Sequence, residues 1–226
     1  MKLIFVLLLF TASSFINQDK RMQSQHVLHY LALGDSYTIG EMVSPAENFP
    51  SQVVHLLEQK GVKADARIIA RTGWTTDELK AGIEAADQEY PLLEKYDRVS
   101  LLIGVNNQYR GRSVDEYREA FTGLLEQALG YAGGNPDHVV VVSIPDWGVT
   151  PYAGGRDRVQ IAREIDTYNM VNREVAEAHR IHYIDITPWT REAAGQPDLL
   201  ATDGLHPSGK EYRRWAEKLA DYFMKD

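Results

Sequence analysis

The chain has 226 residues, of which 44% are hydrophobic and 25% are charged, and its formal net charge is −8 at pH 7. This length and composition predict one folded globular domain and exclude a disordered chain. The negative charge, without any block rich in Lys and Arg, argues against a nucleic acid partner. Because the sequence contains no cysteine, it offers neither a disulfide nor a thiol nucleophile.

The amino terminus has the order of features that is typical of a secretory signal peptide. Lys2 is followed by eight apolar residues, from Leu3 to Phe10, and then by small residues. The apolar run is too short for a permanent membrane span. The alternative is a buried first strand or helix. We predict a signal peptide over approximately residues 1–25, a mature domain over 26–226 without a stable membrane anchor, and a secreted or periplasmic location.

Five short runs rich in Val, Ile and Leu predict strands. They alternate with segments of helical spacing, which favours parallel strands joined by crossover helices. The run of four valines suits a strand that is covered on both faces. The predicted strands cover residues 27–33, 64–70, 97–104, 137–145 and 181–186.

Capping-box patterns mark the starts of three predicted helices. In this pattern a Ser or Thr precedes a Glu by three positions, and each side chain satisfies a free N–H group of the other residue. The pairs are Thr75 with Glu78, Ser113 with Glu116, and Ser208 with Glu211.

Polar, glycine-containing segments follow the predicted strands. They read GDSYTIG, RTGWTT, GVNNQYRG and PDWGVTPYAGG after the first four strands, and DGLHPSG after a longer loop beyond the fifth. Ligands of open parallel sheets bind beyond the carboxyl ends of the strands. The segments therefore predict a functional site along this edge.

Three residues of these segments could carry nucleophilic chemistry. A serine hydroxyl needs a base to remove its proton, and the base is usually a histidine that a carboxylate orients. Ser36 supplies a hydroxyl, while Asp203 and His206 are three positions apart, close enough to share one side of a turn. Taken singly, Ser36 could instead cap a helix, and His206 could be a surface histidine.

A tetrahedral intermediate also needs donors for its oxyanion. The candidates are the N–H group of Ser36, the N–H group of Gly73 and the side-chain amide of Asn106. Taken alone, Gly73 is more often a turn residue, and Asn106 is more often a residue that tolerates left-handed backbone at a strand end.

Four of these segments, taken in order, resemble the blocks of the SGNH hydrolases, which are also called GDSL esterases. They are GDSYTIG, Gly73 in RTGWTT, Asn106 in GVNN, and DGLHP. The resemblance implies an α/β protein, a three-layer α/β/α flavodoxin-like domain with a five-stranded parallel sheet. It also implies ester hydrolysis through an acyl-enzyme, without a metal or another cofactor.

The resemblance also implies a role for each matching residue. Ser36 would be the nucleophile, His206 the base and then the acid, and Asp203 the carboxylate that orients it. Ser36, Gly73 and Asn106 would form the oxyanion hole. The sequence departs from the family pattern at Asn107, where many members carry an aspartate, which leaves the local hydrogen bonding there open.

The expected function is hydrolysis of carboxylic esters by a serine esterase. Its substrate would be a small-molecule, glycan or lipid ester with a short acyl or O-acetyl group, or a lysophospholipid. The alternative is a non-catalytic carbohydrate-binding module on the same fold, which would use aromatic residues of the edge loops. These are Trp74, Tyr109, Trp147 and Tyr152, each of which could equally serve packing. The pairs His26/His29 and His179/His182 fit surface histidines better than a metal site.

Overall fold

The computed structural model describes residues 26–225, so the predicted signal peptide lies outside the described residues. Five strands form one sheet in the order β2-β1-β3-β4-β5, and every neighbouring pair is parallel. The strands are β1 (Leu28–Asp35), β2 (Ala64–Arg71), β3 (Arg98–Leu102), β4 (Val139–Val142) and β5 (His182–Ile184). Each strand overlaps a predicted run, and β3, β4 and β5 are shorter than predicted because the ends of those runs lie outside the ladder.

Helices connect the strands and follow the last one. The α-helices are α1 (Ser36–Ile39), α2 (Phe49–Gln59), α3 (Thr76–Glu89), α4 (Val105–Tyr109), α5 (Val114–Tyr131), α6 (Arg158–Ala178), α7 (Thr187–Arg191) and α8 (Gly209–Phe223). Short 3₁₀ turns cover Pro136–His138, Trp147–Val149, Pro151–Ala153, Glu192–Ala194 and Pro197–Leu199. No helix of the described residues is long and apolar enough to cross a bilayer.

The helices form two layers around the sheet. Helices α2 and α8 pack together on one side, while α5 packs against α3 and α6 on the other. Phe49 and Trp215 are buried in the first layer, with ring centroids 6.0 Å apart, and Tyr117 and Phe121 are buried in the second, 5.6 Å apart. This arrangement confirms the predicted three-layer α/β/α fold with a five-stranded parallel sheet.

Two of the three predicted capping pairs act at helix starts. The Thr75 N–H donates to the Glu78 carboxylate at 2.8 Å, and the Glu116 N–H donates to the Ser113 hydroxyl at 3.2 Å. The third prediction is wrong, although α8 begins where it was expected. Glu211 accepts from the Trp215 indole N–H at 2.9 Å, because a buried indole needs an acceptor.

A close backbone approach at Gly34 sets the path of the chain just before Ser36. A Cβ at Gly34 would lie 2.0 Å from the Thr38 hydroxyl oxygen and 2.5 Å from the Leu102 carbonyl oxygen. The carbonyl belongs to the neighbouring strand and cannot move aside easily. The absence of a side chain at this position therefore lets the first turn of α1 fold back against β1 and β3.

We predict that Gly34→Ala lowers the free energy of unfolding by at least about 2 kcal/mol, since the added methyl group overpacks this junction. The matched control is Gly123→Ala in α5, where a Cβ would meet no atom within 4 Å. This control should raise the free energy of unfolding by about 0.5–1 kcal/mol, because alanine favours helix. Urea titration measures both changes, and equal effects in the two variants would contradict the packing argument.

Candidate active site

Ser36 lies at the junction between the interior strand β1 and the short helix α1. Asp35 precedes it as the N-cap residue and accepts a hydrogen bond from the Tyr37 N–H at 3.0 Å. Gly40 closes the helix with a left-handed backbone, at φ 76°. The Ser36 side chain is thereby fixed at the carboxyl end of β1, and the residue is only 4% exposed.

A chain of two hydrogen bonds joins Ser36 to His206 and Asp203. The His206 Nδ1 atom lies 2.6 Å from the Asp203 Oδ2 atom, and the His206 Nε2 atom lies 3.0 Å from the Ser36 Oγ atom. Since an ionised carboxylate only accepts, Nδ1 carries the proton and a neutral imidazole presents its lone pair at Nε2. The Ser36 hydroxyl then donates to Nε2, which is the arrangement that removes its proton during attack.

A tight turn holds Asp203 and His206 in this relation. The N–H groups of Leu205 and His206 donate to the Asp203 Oδ1 atom at 3.0 and 3.1 Å, and Gly204 adopts a left-handed φ of 65°. Outside the turn, the Ala201 N–H donates to the His206 carbonyl at 2.7 Å. The two oxygens of Asp203 therefore fix the backbone of the turn and the imidazole at the same time.

The same contacts determine the charge of Asp203. Partial burial acts to raise the pKa of Asp203, but the hydrogen bonds from the His206 ring and from the Leu205 and His206 N–H groups outweigh it. The net effect is a pKa below the ordinary value, so this carboxyl stays ionised at neutral pH. An ionised Asp203 stabilises the imidazolium that forms when His206 accepts a proton.

Asn106 joins the segments that carry Ser36 and Gly73. Its Nδ2 atom donates to the Trp74 carbonyl at 3.0 Å and to the Asp35 carboxylate at 3.3 Å. These acceptors belong to the residues next to Gly73 and Ser36 in the sequence. The three predicted oxyanion donors are thus held in adjoining segments at one edge of the sheet.

The turn at Gly73 requires glycine-like backbone and leaves its N–H group unengaged. The φ of Gly73 is 81°, and its carbonyl accepts from the Arg110 guanidinium at 2.6 Å. Among residues 26–225, the N–H groups of Gly73 and Ser36 have no protein acceptor. Both groups are therefore available to a bound anion.

Asp35 is fully buried beneath this site. Burial raises the pKa of Asp35 to about 7, although the hydrogen bonds from the Tyr37 N–H and the Asn106 amide favour its ionised form. Its protonation therefore changes close to neutral pH. This pKa could not be predicted from the sequence, because burial of a carboxyl depends on which segments cover it.

Other residues singled out in the sequence have structural partners. Asn107 accepts from the Thr76 N–H at 3.1 Å and donates to the Thr76 hydroxyl at 2.9 Å, which ties α4 to the start of α3. The Trp74 ring occupies the space beside Gly82, where a Cβ would lie 2.0 Å from it. In the part of the chain that the structure describes, no three His, Asp or Glu side chains are grouped to hold a metal ion.

The family profile of the GDSL-like lipase/acylhydrolases matches residues 32–214. The chain belongs to this family. The membership confirms both the predicted resemblance and the predicted enzyme class, that of carboxylic ester hydrolases. A search among curated proteins found no match.

Solved structures share the fold of this GDSL-like hydrolase. The lipase/acylhydrolase from Enterococcus faecalis is 23% identical, with a TM-score of 0.66 over 86% of this chain and 94% of that chain. The acetylxylan esterase Axe2 from Geobacillus stearothermophilus is 21% identical, with a TM-score of 0.65 over 88% and 95%. The psychrotrophic esterase EstA from a Pseudoalteromonas species is 17% identical, with a TM-score of 0.63 over 86% and 95%.

The buried Asp35 carboxyl predicts a specific pH dependence of stability. Its pKa in the folded protein, about 7, lies above the ordinary value of 3.8, so folding favours the protonated form. Its stabilising contribution is complete below the ordinary pKa and is lost as the pH rises toward 7. We expect Asp35→Asn, which cannot ionise, to gain stability relative to the natural protein over this range. Chemical unfolding at several pH values measures the difference, and a difference that does not change with pH would contradict the assignment.

Proposed function

We propose that this hydrolase is a serine esterase that removes short acyl groups, above all acetyl, through a covalent acyl-enzyme. The observation that carries the proposal is the chain from Ser36 through His206 to Asp203, with separations of 3.0 and 2.6 Å. These hydrogen bonds bring Ser36 together with His206, which lies 170 positions later in the sequence. Together they have the order of donors and acceptors that activates a serine hydroxyl.

In the first half of the reaction, the Ser36 Oγ atom attacks the ester carbonyl carbon as its proton passes to the His206 Nε2 atom. The carbonyl oxygen becomes an oxyanion beside the N–H groups of Ser36 and Gly73. The side-chain amide of Asn106 is the third donor. Its N–H groups, which donate to the Trp74 carbonyl and the Asp35 carboxylate, would then also donate to the oxyanion. When the tetrahedral intermediate collapses, His206 returns the proton to the leaving alcohol, and the acyl group remains on Ser36.

In the second half, a water molecule takes the place of the alcohol. His206 accepts a proton from this water as its oxygen attacks the acyl carbon, and the same donors stabilise the second oxyanion. Collapse releases the carboxylic acid, and the proton on His206 restores the Ser36 hydroxyl. Asp203 remains ionised throughout, since it acts by orienting and stabilising the imidazole.

The size of the acyl group is suggested by the comparison with known proteins. One of the solved structures that share this fold is an acetylxylan esterase, which favours an acetyl group as the group removed.

The amino-terminal sequence supports a location outside the cytoplasm. The order of charge, apolar run and small residues in residues 1–25 is that of a signal peptide. We propose that the esterase is secreted or periplasmic, where it would meet small-molecule or glycan esters.

The role of Ser36 is tested with a fluorophosphonate probe and an acetate ester. The natural protein should incorporate one probe at Ser36, and Ser36→Ala should lose labelling and lower kcat by about 10⁴-fold or more. His206→Ala should lower kcat by a comparable factor, because the members of a triad act as a unit. Labelled peptides are identified by mass spectrometry.

The control for this experiment is Ser44→Ala, which changes an exposed serine in the loop after α1. It should keep both labelling and activity. Full activity in a folded Ser36→Ala protein would overturn the mechanism. A natural protein that is folded but neither labelled nor active would favour the carbohydrate-binding alternative.

The acyl specificity is tested with p-nitrophenyl acetate, butyrate and octanoate. We expect kcat/KM to fall steeply from acetate to octanoate, because the proposed substrates carry an acetyl or another short acyl group. Equal kcat/KM for acetate and octanoate in the natural protein would contradict the proposed preference for short acyl groups.

A further inference from the structure

A group of aromatic side chains lies on the loops at the carboxyl edge of the sheet. Tyr109 and Tyr152 are 40% and 48% exposed, whereas Trp147 beneath them is 3% exposed. The ring centroids of Tyr109 and Trp147 are 5.3 Å apart, and those of Trp147 and Tyr152 are 6.1 Å apart. We call these three residues the aromatic shelf. Most of its exposed surface consists of two tyrosine rings.

Hydrogen bonds from below hold the shelf in place. The Trp147 indole N–H donates to the side-chain Oε1 atom of Gln108 at 2.8 Å. The Nε2 atom of the same side chain donates to the Glu164 carboxylate at 2.6 Å. Above them, the hydroxyl oxygens of Tyr109 and Tyr152 are 3.3 Å apart. A surface that is fixed before a ligand arrives loses less conformational entropy on binding.

Arg156 places a positive charge on this shelf. Its guanidinium carbon lies 4.9 Å from the centre of the Tyr109 ring and 5.4 Å from that of Trp147, and it donates to the Tyr109 hydroxyl at 3.0 Å. Two other arginines of this edge, Arg110 and Arg112, are paired with Glu78 and Asp77. Within residues 26–225, Arg156 forms no ion pair with a carboxylate.

The shelf adjoins the active site on two sides. The Tyr152 N–H donates to the carbonyl of Gly204, which lies in the turn between Asp203 and His206, at 3.2 Å. Tyr109 ends the short helix α4, which contains Asn106 in its first turn. A substrate whose ester reaches Ser36 can therefore extend one end over the shelf.

We propose that the aromatic shelf with Arg156 binds the alcohol part of the ester, and that this part is a sugar ring bearing a carboxylate, as in an O-acetylated uronic acid residue. The inference rests on the proposed esterase function. Aromatic faces bind the apolar face of a sugar ring, and the tyrosine hydroxyls can bond to its hydroxyl groups. An arginine without a carboxylate partner supplies two parallel N–H groups for a carboxylate.

The chemistry of the shelf disfavours the other ester classes. An acyl chain would bury the guanidinium of Arg156 without an anionic partner, which is costly. A lysophospholipid headgroup could pair its phosphate with Arg156, but it has no ring to cover Tyr109 and Tyr152. The overall charge of −8 gives no general attraction for anions, so an acidic substrate requires a local cation such as Arg156.

The test compares two substrates of equal length, an O-acetylated neutral oligosaccharide and an O-acetylated oligosaccharide that contains uronic acid. The natural esterase should show the higher kcat/KM on the uronate substrate. Arg156→Gln should lower the ratio of uronate to neutral kcat/KM by about tenfold or more, since it removes a charged hydrogen-bond donor. Arg156→Lys keeps the charge but loses the planar fork of donors. Its ratio should lie between the ratios of the natural protein and of Arg156→Gln.

The matched control is Arg112→Gln, which removes the same charge from a paired arginine on the same edge and should leave the ratio unchanged. Tyr152→Ala should lower kcat/KM on both oligosaccharides more than on ethyl acetate, whose alcohol has no ring. If Arg156→Gln lowered kcat/KM equally on the uronate and neutral substrates, the carboxylate assignment would be overturned. A higher kcat/KM of the natural protein on a lysophospholipid than on both oligosaccharides would overturn it as well. A natural protein inactive on ethyl acetate and on all of these esters would instead refute the esterase proposal itself.

Discussion

The buried carboxyl of Asp35 is the constraint on which the rest of the site depends. One of its oxygens caps the helix that begins at Ser36, and the other accepts from Asn106. The end of the interior strand β1 and the start of α4 are joined through this single side chain. Because both the nucleophile and a predicted oxyanion donor lie next to it, a movement of Asp35 would displace the two together. The site is therefore coupled to the middle of the sheet and not only to its surface loops.

The acid–base side of the site is built differently, from the turn that carries Asp203 and His206. Asp203 uses one oxygen to bind the backbone N–H groups of the turn and the other to bind the imidazole. Tyr37 packs against His206, with ring centroids 5.0 Å apart, which limits the rotation of the imidazole. The residue after the nucleophile thus also positions the base. The aromatic side chain at position 37 therefore has a role in the site, because its ring packs against the imidazole of His206.

The strands and the layer order could be predicted from the sequence, because a run such as Val139–Val142 has few ways to be buried other than in a covered parallel sheet. The placement of the motif residues could be predicted as well, since a parallel sheet brings the carboxyl ends of its strands to one edge. The partner of Glu211 could not be predicted, because the choice between a helix N-terminus and the Trp215 indole depends on which group is buried. The contribution of Arg156 was missed for a similar reason. Nothing in the local sequence shows that this arginine stacks on Tyr109, 47 positions earlier, and has no acidic partner among the described residues.

The turn around Gly204 also suggests how such enzymes diversify. Its geometry is set by bonds among Ala201, Asp203, Leu205 and His206, and by the bridge between Leu200 and Pro207. The last residues of the connection from β5 also hold this turn, since the carbonyls of Asp198 and Leu199 accept from the Ser208 hydroxyl and N–H group. Insertions or deletions earlier in that connection could reshape the surroundings of the site while the acid–base pair kept its spacing. New substrate preferences could thus arise during evolution without rebuilding the catalytic apparatus.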